Sequence, residues 1–387
     1  MANKNIIIAI AAVIIIVIAA ASFAVFSNSD PKENRNVDKT EVVITDDLGR
    51  DVTVYLPIER VVIPSYESFR AYTAVTGDDF IDLLVGGLGD FENIEKGFYD
   101  AYVKAYPQMK SLPSVGNIFG GSFSAESVIN LTPDVVIFPS SVIVYSGLKD
   151  TELKSLTDAG IPCIFVDFFI DPYKEGNFSK NVNILGKLMG EEDRAADIIE
   201  FFDAEVNKVY SKLPSGSGPT IYTELMAGPE SYGNTSTYGY PEIDRIKGVN
   251  IAKFSPLGDA AGQISAEFLI SQNPDMIYLA ASTFYGDKGG KMFGYGASPT
   301  DKDLADMAQE YLDRAGWSTL NAVKNKDVYF IYNMFRSNVE CFTLLQQAAA
   351  WMYPETFGDL DPEKSLSLFY EKFMPLELKG NWFYKVT

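Results

Sequence analysis

Seven short runs of β-branched and apolar residues, with helix-patterned stretches between most of them, constrain this chain more than any other feature. Arg60–Pro64 (RVVIP), Asp82–Gly87 (DLLVGG), Asp134–Phe138 (DVVIF) and Cys163–Phe168 (CIFVDF) form one group. Thr220–Leu225 (TIYTEL), Asp275–Ala280 (DMIYLA) and Asp327–Tyr332 (DVYFIY) form a second. Runs that are apolar almost throughout read as strands buried on both faces, the mark of a parallel sheet with helical crossovers. Between the groups, Asn181–Leu213 sets Ile184, Leu185, Leu188, Ala195, Ile198, Ile199, Phe202, Val206 and Val209 at mostly helical spacing, and PSGSGP then breaks the pattern. The expected fold is α/β: two Rossmann-like lobes with mostly parallel sheets, joined by a single long α-helix, with a ligand cleft between them.

At 387 residues the chain is long enough for two such lobes. The expected division is 1–27 for an N-terminal membrane anchor or signal segment, 28–40 for a flexible linker and 41–176 for the first lobe. The interlobe helix takes 177–213 and the second lobe 214–387. The opening segment rests on Ile6–Phe26, an uncharged apolar run long enough to cross a hydrocarbon core of about 30 Å. It is longer than the usual apolar region of a cleaved signal and has no cysteine near its end to carry a lipid, so an uncleaved anchor is the first reading. An extracytoplasmic location follows from either.

Charge and side-chain inventory exclude several classes. With 32 basic and 52 acidic residues the net charge is −20, which repels nucleic acid and anionic lipid. No histidine is present, and Cys163 and Cys341 are the only cysteines. That rules out Ser-His-Asp and Cys-His catalytic sets and disfavours direct coordination of a bare transition metal. No phosphate-cradling glycine motif occurs. The expectation is a protein without catalytic residues, metal ligands or cofactor. Asn130, Asn177 and Asn234 head glycosylation-type triplets, a short motif with many chance matches.

One unit is written twice. SAESVINLTPDVVIF (Ser124–Phe138) and SAEFLISQNPDMIYL (Ser265–Leu279) share Ser-Ala-Glu, six variable residues, Pro-Asp and an apolar run. Ser124 and Ser265 suit helix N-caps, and Glu126 and Glu267 suit the first turn, where exposed N–H groups favour a carboxylate. Capping explains each copy alone. The repetition of the whole unit at corresponding places also fits a pair of carboxylates meeting a two-fold symmetric partner.

ITDDLGRDVTV, IERVV, SLPSVGNIFGGSFSAESVINLTPDVVIF, GIPCIFVDF, ILGKLMGEEDRAADII, ISAEFLISQNPDMIYL and WSTLNAVKNKDVYFI, in this order and spacing, resemble one family. It is the substrate-binding proteins of ABC importers for iron–siderophore, haem and cobalamin, the type with a rigid interlobe helix. The resemblance runs from Val42 to about Phe357. It implies a non-enzymatic receptor that hands a chelated metal, an iron–siderophore complex first, to a permease dimer with its ATPase subunits. Corrinoid (cobalamin), haem or molybdate-type ligands are the alternatives, and a chelatase-like enzyme is the rival class. The resemblance also implies that Glu126 and Glu267 dock onto permease arginines.

Ligands in open α/β sheets sit beyond the carboxyl ends of the strands. The loops expected there carry Tyr66, Tyr145, Phe168, Tyr232, Tyr238, Phe284, Tyr285 and Phe335, candidates to stack on a large flat or greasy chelate. Arg70 and Arg336 are candidates to pair with its anionic oxygens. Arg336 has a structural alternative, an ion pair with a nearby acid such as Glu340.

Overall fold

Successive side chains of one strand divide between two packing layers. Val135 and Ile137 join the main core, whereas Val136 and Phe138 pack with Ile118, Phe123 and Val128 in a second cluster. A strand buried on both faces in this way needs cover on both sides of its sheet. The computed structural model describes residues 38–145, 147–230, 232, 233, 235, 240–257, 261–281 and 291–387. The first lobe holds β1 (Thr40–Thr45), β2 (Asp51–Leu56), β3 (Val61–Ile63), β4 (Leu84–Gly87), β5 (Val135–Pro139) and β6 (Cys163–Val166). The second holds β7 (Thr220–Leu225), β8 (Val249–Asn250), β9 (Met276–Ala281), β10 (Gly294–Tyr295), β11 (Val328–Tyr332), β12 (Gly380–Asn381) and β13 (Phe383–Lys385).

The mixed α/β fold with mostly parallel sheets is as expected. One sheet has the order β4-β3-β5-β6, parallel throughout. The other has the order β13-β11-β9-β7-β8, parallel except for its antiparallel edge strand β13. All seven expected strands are present. The β1–β2 pair, β8, the β10–β12 pair and β13 were not foreseen, because each is short or partly exposed and lacks a continuous apolar run.

The connecting segment departs from one continuous helix. Helix Asn177–Met189 ends at Gly190 in the left-handed conformation (φ 72°), the usual helix stop. A second helix, Glu192–Tyr210, is the long link that leads towards β7. The two pack together through Phe178 and Phe202, whose rings stack at 3.7 Å between centroids.

That link is not the sole connection between the lobes. Helix Lys96–Ala105 of the first lobe lies so close to β10 that a Cβ at Gly97 would fall 2.1 Å from the Tyr295 carbonyl oxygen. Next to it, Phe98 meets the rings of Tyr295 and Trp382 at 4.7 and 6.2 Å. One core cluster therefore continues from the first lobe into the second. Cys163 and Cys341 are buried and free, not bridged. Ile6–Phe26 lies outside the described residues, as do Tyr238, Phe284 and Tyr285. Among the described residues, no helix is long and apolar enough to cross a membrane.

Candidate functional site

The duplicated unit does the same structural work in both lobes. Ser124 caps helix Ala125–Asn130 by accepting from the Ser127 N–H at 3.2 Å, and Ser265 caps helix Ala266–Gln272 through the Phe268 N–H at 3.1 Å. Asp134 Oδ2 accepts from the N–H groups of Glu59 and Arg60, just ahead of β3, at 2.8 and 3.0 Å. Asp275 Oδ2 accepts from the Thr220 N–H at the start of β7, at 2.8 Å. Each aspartate thus ties its own strand to the amino end of a parallel neighbour. Serine and aspartate are explained by the fold, but the glutamates are not. Glu126 and Glu267 are exposed, and among the described residues neither carboxylate meets a cation or a hydrogen-bond donor. Both sit in the first turns of their helices.

At the carboxyl ends of β3 to β6 the chain turns straight into helices or tight turns. Tyr66 and Arg70, expected in a loop, instead belong to helix Tyr66–Thr76, capped by Ser65. Every residue of that helix is buried. Glu67 in its first turn is only 8% exposed and binds Ser141 Oγ and the Tyr66 hydroxyl. Burial pushes its carboxyl up to about 8, against the opposing hydrogen bond from Ser141. Burial also raises Asp90, which follows β4, to about 7, and raises Asp167 after β6 against the bonds from the Phe169 and Ile170 N–H groups.

Over these acids lies an exposed apolar surface. Val144 is 60% exposed, Tyr145 58% and Ile170 51%, with Ile143 beside them. Tyr145 meets the ring of Phe169 edge-on at 5.8 Å. The Tyr145 hydroxyl is raised first by burial and then by Glu67, while the Arg336 guanidinium of the second lobe draws it down. Tyr145 thus feels charges from both lobes, and it follows the carboxyl end of β5.

Both candidate arginines are engaged by carboxylates of the chain itself. Arg70 is fully buried between Glu95 at 3.0 Å and Glu340 at 3.3 Å, and donates to the Met334 carbonyl at 2.8 Å. Arg336 pairs with Glu242 at 2.5 Å and lies over the Tyr240 ring at 4.2 Å. The partner of Arg336 is thus Glu242, and Glu340 belongs to Arg70. Phe168 and Phe335 are buried core residues, packed on Phe178 and Trp382 respectively. Tyr232 is half-buried, its hydroxyl accepting from Trp317 Nε1 at 2.9 Å. Of the described aromatic candidates, Tyr145 alone is strongly exposed. Sequence reasoning passed over Glu67, Glu95, Glu224, Glu242 and Arg314. Glu67 was within sight, inside a stretch already picked out after β3.

A model of the periplasmic binding protein family matches residues 78–333. The chain is 24% identical to an uncharacterized ABC transporter substrate-binding lipoprotein, YvrC, of Bacillus subtilis, over 86% of this chain and 92% of the relative. It is 21% identical to the molybdate-binding protein MolA of Haemophilus influenzae, over 86% and 90%. The crystal structure of the TroA-like periplasmic binding protein FepB from Veillonella parvula superposes with a TM-score of 0.79 at 29% identity, covering 89% of this chain and 100% of that one. Molybdate-bound MolA superposes at 0.63 with 18% identity, covering 88% and 100%.

Proposed function

Because the chain belongs to the periplasmic binding protein family, we propose that it is the extracytoplasmic substrate-binding protein of an ABC importer. It captures a chelated metal compound, an iron–siderophore complex first, and delivers it to a permease dimer driven by ATPase subunits. The observation that carries the ligand class is the exposed apolar surface of Ile143, Val144, Tyr145 and Ile170 at the carboxyl ends of β5 and β6. Exposed apolar patches in a cleft suit a ligand with a large apolar face. Corrinoid and haem share that property and stand as alternatives.

The oxyanion reading has the Haemophilus relative in its favour. Against it, Arg70 and Arg336 are already neutralised by Glu95, Glu340 and Glu242. A small dianion needs uncompensated donors to replace its hydration. We place Glu126 and Glu267 at the permease contact, and the lobe boundaries at 41–176 and 214–387. Ile6–Phe26 acts as a membrane anchor, so peptides from this run should persist in the membrane-bound protein by mass spectrometry.

Thermal-shift measurement of residues 41–387 with ferric siderophores, cobalamin, haemin and molybdate tests this reading. A ligand at 100 times its dissociation constant adds about 2.7 kcal/mol of stability. A shift with an intact chelate is expected. A shift with molybdate alone would replace the chelate reading by the oxyanion one, and turnover of metal with tetrapyrrole would replace it by an enzyme.

A further inference from the structure

Beside the residues that follow β7, one arginine makes four hydrogen bonds through its guanidinium. Arg314 grips Glu224 with both terminal nitrogens, Nη1 to Oε2 at 2.7 Å and Nη2 to Oε1 at 2.9 Å. The same guanidinium donates to the Gly228 carbonyl at 2.8 Å and to the Pro229 carbonyl at 3.1 Å. Glu224 in turn accepts from the Gly233 N–H at 2.9 Å and from the Tyr222 hydroxyl at 2.8 Å. Tyr232, Tyr311 and Trp317 surround the cation, with rings 4.9, 4.6 and 4.9 Å from its central carbon. The pair is buried, and it holds Gly228 and Pro229 through their carbonyls and Gly233 through its N–H.

We propose that Arg314 is a positioning residue for ligand binding: with Glu224 it holds Gly228, Pro229 and Gly233, which follow the carboxyl end of β7, where ligands of open α/β sheets bind. The inference rests on the binding-protein reading above. A bare structural ion pair would need only the Glu224 contact. The two further carbonyl bonds are directed at the loop itself, and only a planar guanidinium fork can make all four at once. A lysine at this position keeps a point charge for Glu224 and loses the loop contacts. Ligand sites depend on such supporting contacts, because a displaced loop weakens binding without unfolding the scaffold.

The test uses the full chain and its Arg314→Lys variant. Hydrogen exchange is followed over residues 226–235, with Ile277–Ala280 of β9 as the internal control. The binding probe is whichever of ferrioxamine B, ferric enterobactin, cyanocobalamin, haemin and molybdate saturates the wild type. The variant should exchange about tenfold faster in the loop, with β9 unchanged, and should bind the probe about tenfold more weakly. Trp317→Phe removes the bond to the Tyr232 hydroxyl and part of the ring beside the cation, leaves the four Arg314 bonds in place, and should move both readouts the same way by less. Wild-type affinity in Arg314→Lys, with the loop loosened or not, overturns the positioning role. If folded wild type binds none of the probes, the functional reading falls instead.

Discussion

The Arg70 guanidinium of the first lobe lies 3.3 Å from the Glu340 carboxylate of the second, with both side chains fully buried. Glu95 shares the same cation at 3.0 Å and accepts from the Tyr332 hydroxyl of the second lobe at 2.7 Å. Tyr370 completes the network on Glu340 at 2.8 Å. Removing one member of a buried charge network leaves the others without compensation, commonly at about 3–5 kcal/mol. Arg70→Ala should therefore lose about that much in denaturant unfolding. A loss under about 1 kcal/mol would mean that the junction contributes little and the connecting helix carries the rigidity.

A second expectation concerns pH. Burial raises Glu67 from its ordinary range to about 8, so the folded protein holds this proton where the unfolded chain has released it. The stabilisation is fully present below the unfolded value and is lost as pH rises through about 8. Asp90, Glu95, Asp167 and Tyr66 surround the same region, and the first two, raised to about 7, act in the same direction. Glu67→Gln should flatten the decline of stability between the unfolded carboxylate range and pH 8 without abolishing it, and should exceed wild type in stability at alkaline pH. Equal slopes in chemical denaturation across that range would show that Glu67 is ionised in the folded state.

Tyr145 and Arg336 should separate binding from folding. Tyr145 is 58% exposed, so Tyr145→Ala should alter stability by no more than about 0.5 kcal/mol. It should weaken chelate binding by about 1–3 kcal/mol, the usual loss for an aromatic anchor. Arg336→Ala strands the buried Glu242 and should lower stability first. Calorimetric titration beside thermal unfolding distinguishes the two patterns. Unchanged affinity in Tyr145→Ala would move the ligand away from this surface.

What was legible in the sequence follows from how locally each feature is encoded. β5, β9 and β11 are buried along their whole length, so an uninterrupted apolar run announces them. β13 is partly exposed and pairs antiparallel with β11, which no local pattern specifies. The stretch after β3 was expected as a loop, but Ser65 caps a helix there that carries Tyr66 and Arg70 into buried positions. Ion-pair partners were the least legible. Arg70 and Glu340 lie in different lobes and Arg336 and Glu242 in one, but the members of each pair are far apart in sequence and meet only in the folded chain.

Glu126 and Glu267 decide the central claim, delivery to an importer. Their helices are already capped by Ser124 and Ser265, so neutralising either glutamate should weaken only a dipole interaction, by at most about 1 kcal/mol. At an interface with arginines, losing one side of a charge pair commonly costs about 2–5 kcal/mol, and reversing the charge adds repulsion. The most direct measurement is ligand uptake by vesicles carrying the cognate importer, made with the Glu126→Arg, Glu267→Arg double variant beside chelate binding by the same protein. The account predicts normal chelate binding with uptake abolished, and single variants in between. Wild-type uptake by the double variant would contradict it, leaving the repeat as two copies of a capped helix that anchors a neighbouring strand.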